Sequence, residues 1–163
     1  MKTYLGGKTS IDHVAIAVLD LEQALLLYQN VFGFELLERR SVEGAFSGMR
    51  SAELSAGGFS IVLIEGTSPE SQVSRYIAQY GPGVQHIAIA VEDVEAVTDT
   101  LRASGMTFAT NVIRGDGLIQ VFTRREANSG MMFEFIERKR DPEGFDPANI
   151  QQLFNQLEAS NNF

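Results

Sequence analysis

The sequence predicts an α+β fold made of two βαβββ units followed by a helix that covers them, and three observations carry that prediction. A twelve-residue stretch, Ile11-Asp12-His13-Val14-Ala15-Ile16-Ala17-Val18-Leu19-Asp20-Leu21-Glu22, returns 73 residues later as Val84-Gln85-His86-Ile87-Ala88-Ile89-Ala90-Val91-Glu92-Asp93-Val94-Glu95. A repeat of this length marks two supersecondary units that bury their apolar faces together. After each copy, apolar spacing changes from strand alternation to a helical period and then back to short strand-like runs. Beyond the second unit, Ile150, Leu153, Phe154 and Leu157 form one apolar stripe of a final helix.

Taken in order, residues 11–18 form the first strand, rich in β-branched side chains and alanine. Asp20 is placed to cap the following helix, with Gln23 three residues on. In that helix Leu21, Ala24, Leu25, Tyr28 and Val31 share a face, and Gly33 ends it. Strands are expected over 34–40, 49–54 and 59–64, which completes a first unit of about 9–66. A linker helix of about 68–82 is expected to start at Ser68-Pro69 and to stop at Gly81-Pro82-Gly83. The second unit, about 83–139, repeats the plan. Asp93 caps a helix through Val94, Val97 and Leu101, and strands follow over 107–112, 118–123 and 131–137. Asp146-Pro147 opens the closing helix, about 146–158, and the tail from Ala159 to Phe163 carries no structural signal. The whole chain is expected to form a single domain.

Composition narrows the function. Thirteen basic against 21 acidic residues give a net charge of −8, which excludes a nucleic-acid partner that would need clustered Lys and Arg. The run Glu137-Arg138-Lys139-Arg140-Asp141 is flanked by acids and reads as a solvated strand end. There is no cysteine, hence no disulfide or thiolate chemistry. Met1 to Ser10 contain no apolar core of signal-peptide length and no stretch reaches the length of a membrane span, so a cytoplasmic protein with no membrane partner is expected.

The two histidines of the chain occupy the same place in both copies of the repeat. Alternation sets His13, Ala15 and Ala17 on one face of the first strand, and His86, Ala88 and Ala90 on one face of its counterpart. The branched residues Val14, Ile16, Val18 and Ile87, Ile89, Val91 turn the other way, toward the helices. Small alanines leave space around both imidazoles, so a concave face and a bound metal are expected. The last strands align as Ile61-Val62-Leu63-Ile64-Glu65 with Phe133-Glu134-Phe135-Ile136-Glu137, which sets Glu134 against Val62. A carboxylate in the middle of an apolar strand is costly unless it is paired or coordinated. His13, His86 and Glu134 are therefore the candidate ligands, and Val62 leaves the fourth symmetric position without a donor. Two histidines and one carboxylate with open positions are the facial triad of non-haem Fe(II) oxygenases.

These units resemble the vicinal oxygen chelate superfamily, a cup-shaped fold shared by glyoxalase I, methylmalonyl-CoA epimerase, extradiol dioxygenases and bleomycin-resistance proteins. Several stretches are similar to the C-terminal, catalytic half of the 4-hydroxyphenylpyruvate dioxygenase family. These are Ser71-Gln72, Tyr76, Gly83 to Ala88, Leu118 to Thr123, Phe133 to Arg138, and Gly144-Phe145 with Asn149, Leu153-Phe154 and Glu158. The resemblance implies that His13, His86 and Glu134 bind Fe(II), and that the substrates are a 2-oxo acid and dioxygen, consumed by oxidative decarboxylation and hydroxylation. It further implies substrate contacts from Ser51, Gln72 and Gln120, an apolar wall at Phe122, and closure by Phe145 and Phe154. Ile150 stands where the family has a ring-stacking aromatic, which points to a different aryl or an aliphatic 2-oxo acid. Ile113-Arg114-Gly115-Asp116 replaces a long family insertion, and Gly66-Thr67-Ser68 lacks the family's Asn-Glu-Pro segment. The family's N-terminal half has no counterpart in these 163 residues, and a homodimer is one expected assembly.

Two other readings stay open at this point. A metal-dependent isomerase or lyase of the epimerase or glyoxalase I type would use Glu or Gln at the fourth position, where Val62 stands. Glu65 faces the other way unless a bulge shifts the register. A non-catalytic binding or resistance protein would not need an intact triad.

Overall fold

A computed structural model describes residues 4–139 and 146–163. Its strands are β1 (Ser10–Ala17), β2 (Glu35–Glu43), β3 (Gly48–Ser55), β4 (Ser60–Gly66), β5 (Gly83–Ala90), β6 (Ile113–Arg114), β7 (Leu118–Phe122) and β8 (Phe133–Arg138). The helices are α1 (Leu21–Leu25), α2 (Gln72–Tyr80), α3 (Val94–Ala103) and α4 (Pro147–Ser160). All eight strands join one mixed sheet in the order β2-β3-β4-β1-β5-β8-β7-β6. The two units therefore meet within one chain, along the antiparallel β1–β5 pair.

Each unit repeats the same hydrogen-bonding plan. β1 runs parallel to β4 and β5 parallel to β8, with Ala15 opposite Val62 as Ala88 is opposite Glu134. Asp20 accepts from the Gln23 amide and Asp93 from the Ala96 amide, as the capping pattern predicts. The last strand of each unit adds a second support: Glu65 accepts from the Leu21 amide and Glu137 from the Val94 amide. Carboxylates at the positive helix ends satisfy otherwise orphaned donors. Val14, Ile16 and Val18 pack with Leu21, Leu25, Leu54 and Leu63 beneath α1. Ile89 packs with Val94, Val97 and Phe135 beneath α3. The branched faces are thus spent on the outer cores, and the histidine faces line the inside of the sheet.

Three local expectations are corrected. The first helix widens after Leu25 into a π-helical turn, Leu26–Val31, closed by the Phe32 amide donating to Leu27 O. The extra residue rotates Val31 out to 72% exposure and leaves Tyr28, Phe32 and Phe34 to cluster at ring separations of 5.7 to 6.3 Å. The linker helix begins at Gln72 rather than at Ser68-Pro69. Pro69 sits inside a turn closed by Ser71 N donating to Ser68 O, and the Ser71 hydroxyl caps the helix at Val73 N. Residues 107–112 form no strand beyond a single bridge between Phe108 and Thr123. The Thr110 hydroxyl takes the Phe122 amide, and the Asn111 amide donates to Gln156 of α4, so side chains replace the ladder there. The closing helix runs from Pro147 to Ser160, with Asp146 as its cap.

α4 closes the cup by resting on the turns of both units. A Cβ on Gly44, in the β2–β3 turn, would lie 2.6 Å from the Phe154 ring, and one on Gly115, in the β6–β7 turn, 2.0 Å from Asn149 Oδ1. Both glycines have ordinary backbone angles, so they are required for space and not for conformation. Asn149 is fully buried and donates to Leu118 O, which fixes α4 at that point. Gly115→Ala is expected to displace the start of α4 and to cost about 1–3 kcal/mol of stability, read from urea unfolding.

Candidate metal centre

The strand register brings the repeat's histidines to one spot. Ala15 lies opposite His86 and His13 opposite Ala88, so the imidazoles are diagonal neighbours on the inner face of β1 and β5. Ala88 pairs in turn with Glu134, and Glu134 with Phe122, which carries the same row across β8 and β7. The alanines between the ligands keep the floor low enough for the side chains to converge. His13 Nε2 lies 3.3 Å from His86 Nε2 and 3.1 Å from Glu134 Oε2, and His86 Nε2 lies 3.5 Å from the same oxygen. All three residues offer a ligand atom within one group spanning no more than 4.8 Å.

The donor set fits a divalent ion. Glu134 is 1% exposed, and its Oε1 has no hydrogen-bond partner, a costly state for a buried carboxylate oxygen that a cation would relieve. Two imidazoles and one carboxylate are borderline donors suited to Fe, Co, Ni or Zn. Each histidine also has its far nitrogen engaged. Asp12 Oδ1 stands 2.9 Å from His13 Nδ1, and Gln85 Oε1 accepts from His86 Nδ1, so both Nε2 atoms face the cavity.

Electrostatics place a proton where the ion would sit. Burial by itself would push the His13 pKa down, but the Glu134 and Asp12 carboxylates raise it to about 9. His86 goes the other way because burial dominates, and Glu134 is held below the usual carboxylate range by the two histidines in spite of its burial. Asp12 is likewise held low, burial being outweighed by its hydrogen bonds to Arg138 and His13. The metal-free centre at pH 7 is thus a charged His13 donating from Nε2 to Glu134, beside a neutral His86. Metal uptake is expected to release about one proton per ion at neutral pH, with affinity rising about tenfold per pH unit until pH 9. Calorimetry in buffers of different ionisation heats measures that release. Because the folded-state pKa of His13 is raised, the stability this proton contributes to the metal-free protein is complete below about pH 6.5 and disappears as pH climbs through 9.

A cavity opens from the centre toward α4. Ser51, Gln72, Gln120, Phe122, Ile150 and Phe154 all line it with the three candidate ligands. Phe122 meets His86 edge-on at 5.0 Å, and Gln72 Oε1 is buried without a hydrogen-bond partner. Phe145 lies outside the described residues. Val62 is also in the wall, at the place where the repeat puts the counterpart of Glu134, while Glu65 faces away to Leu21 and Arg50. Arg40, Met49 and Gln85 are lining residues that the sequence reading missed. Met49 lies two residues from Ser51, so alternation from Ser51 would have found it, whereas Arg40 joins that face only through its pairing with Ser51 across β2–β3. Gln85 carried no such signal, because alternation points it away from His86. No helix among the described residues is long and apolar enough to cross a membrane.

The model of the Glyoxalase/Bleomycin resistance protein/Dioxygenase superfamily matches residues 10–146. A 4-hydroxyphenylpyruvate dioxygenase from Legionella pneumophila is 26% identical over 93% of this chain and 54% of its own length. The chain thus spans about half the length of the curated relatives it matches. Among solved structures, a mutant of 4-hydroxymandelate synthase from Streptomyces coelicolor shares the fold at a TM-score of 0.84. It is 23% identical, over 94% of this chain and 55% of that one. Methylmalonyl-CoA epimerase from Mycobacterium tuberculosis superposes at a TM-score of 0.68 with 27% identity, over 80% of this chain and 88% of that one.

Proposed function

Since the chain belongs to the Glyoxalase/Bleomycin resistance protein/Dioxygenase superfamily, we propose that it is a non-haem Fe(II)-dependent dioxygenase of 2-oxo acids. The reaction converts the 2-oxo acid and dioxygen into carbon dioxide and a carboxylic acid one carbon shorter, hydroxylated on its remaining chain or ring. The observation that carries this reading is the incomplete symmetry of the centre. His13, His86 and Glu134 converge, while the fourth wall position is the apolar Val62. Fe(II), when bound, supplies a chelation point for the 2-oxo acid and the activation of dioxygen.

The remaining work falls to the chain's own side chains. Gln72, Gln120 and Ser51 offer hydrogen bonds that orient the substrate's polar groups above the centre. Phe122, Ile150 and Phe154 supply an apolar wall that excludes water and holds the chain or ring. With Ile150 in that wall, an alkyl or smaller aryl 2-oxo acid fits at least as well as a hydroxyphenyl one. An isomerase or lyase would need a base where Val62 stands, and Glu65 is already committed to the α1 N-terminus. The test is anaerobic addition of one Fe(II) and then a panel of alkyl and aryl 2-oxo acids. A visible charge-transfer band and oxygen uptake coupled to carbon dioxide release are expected. Tight binding of Ni or Co with no oxygen consumption on any of the acids would sink the proposal.

A further inference from the structure

The two histidines are supported in unlike ways, and the difference sits on matching irregularities of the repeat. The β1–β5 register shifts between Ile11 and His13, which leaves Asp12 as an extra residue, and again between Ala15 and Ile16, where Gln85 is skipped on β5. Each bulge residue immediately precedes a histidine. In a regular strand that neighbour would point to the opposite face, but a bulge re-aims it. Asp12 and Gln85 both use that freedom to reach the Nδ1 of the next residue.

There the equivalence stops. Arg138, four residues past Glu134 on the same face of β8, grips Asp12 with two bonds: Nε to Oδ2 at 2.7 Å and Nη2 to Oδ1 at 2.9 Å. A two-pronged guanidinium fixes the plane of a carboxylate as well as its charge. Behind His86 stands a neutral amide, whose own Nε2 reaches the Met132 sulfur at 3.8 Å. β8 therefore delivers one ligand and, two side chains later on the same face, the anchor for another ligand's support.

We propose that Asp12 and Arg138 are positioning residues that make His13 the more tightly held and more strongly donating of the two histidine ligands, with Gln85 as the neutral counterpart behind His86. A carboxylate accepting from Nδ1 raises the electron density at Nε2 more than an amide does, and it fixes the tautomer that faces the ion. The inference rests on His13, His86 and Glu134 forming a metal centre, and not on the reaction that centre performs.

Co(II) titration of the metal-free protein tests it, with the visible ligand-field bands reporting the geometry of the site. Asp12→Asn keeps an acceptor oxygen but removes the charge, and is expected to weaken Co(II) binding about 10–100-fold and to shift those bands. Arg138→Lys keeps the cation without the fork, and is expected to change affinity in the same direction by a smaller factor. Adding Gln85→Glu to Asp12→Asn returns a negative charge behind the other histidine and is expected to recover most of the loss. A role confined to stapling β1 to β8 would lower the melting temperature of the variants yet leave the affinity of folded protein unchanged. Wild-type affinity and spectrum in both Asp12→Asn and Arg138→Lys overturn the proposal. Wild-type protein that takes up no Co(II) overturns the metal centre and this support with it.

Discussion

Glu134→Ala protein is expected to take up no divalent ion at the centre and to consume no oxygen with any 2-oxo acid, while remaining folded. The loss in affinity should exceed the 10–100-fold that removal of a mere supporting residue costs, because one of three donor groups is gone. The fold survives for a reason visible in the electrostatics. Breaking a buried ion pair costs about 3–5 kcal/mol when the partner charge is stranded. Here the partner charge is not stranded, since Asp12 stays 2.9 Å from His13 Nδ1 and the His13 pKa falls once the Glu134 carboxylate is removed. The metal-free variant should accordingly show a flatter stability profile between about pH 6.5 and 9 than the parent. Ion uptake by equilibrium dialysis and unfolding midpoints across that range measure both effects. One ion bound at parental affinity would place the metal elsewhere.

Much of this site was legible in the sequence because a duplication makes register visible without a structure. Two copies of the same strand fixed His13 and His86 as partners, and the same alignment carried to the last strands singled out Glu134 and Val62. Alternation then separated the inner from the outer face correctly, since β1 and β5 are regular on either side of their bulges. The bulges themselves were not legible. A single extra residue leaves no mark in the hydrophobic pattern, so Asp12 and Gln85 read as outward-facing when both turn in to a histidine. The strand expected over 107–112 fails to form for the same kind of reason. Its apolar residues match a strand pattern, but Thr110 and α4 claim the backbone groups through side chains that no local rule links to them. Arg40 was hidden because the charged run of β2 reads as solvent-facing, whereas its side chain turns into the cavity wall beside Glu53.

Val62→Glu tests the open side of the centre, and two opposing changes are expected from one substitution. In the metal-free protein the new carboxylate enters a wall where Val62 is 9% exposed and lies opposite the buried Glu53 on β3. Like charges opposed across a ladder repel, and an uncompensated buried charge costs about 3–5 kcal/mol unless the group stays protonated. Metal-free variant protein should therefore be markedly less stable than the parent, most of all above neutral pH where the new group must ionise. Added Co(II) or Zn(II) should return that stability, because a fourth donor at the position matching Glu134 tightens binding, and ligand bound to the native state stabilises it by mass action. On the proposed reaction, oxygen uptake should fall in the same protein, since a fourth side chain at the centre would take space that the 2-oxo acid and dioxygen need. Thermal midpoints with and without metal, run beside oxygen-electrode traces on the Fe(II)-loaded protein, separate the two effects. If stability falls, metal does not restore it and oxygen uptake persists, then Val62 does not face the ion. The centre would then owe its reactivity to something other than an open fourth position.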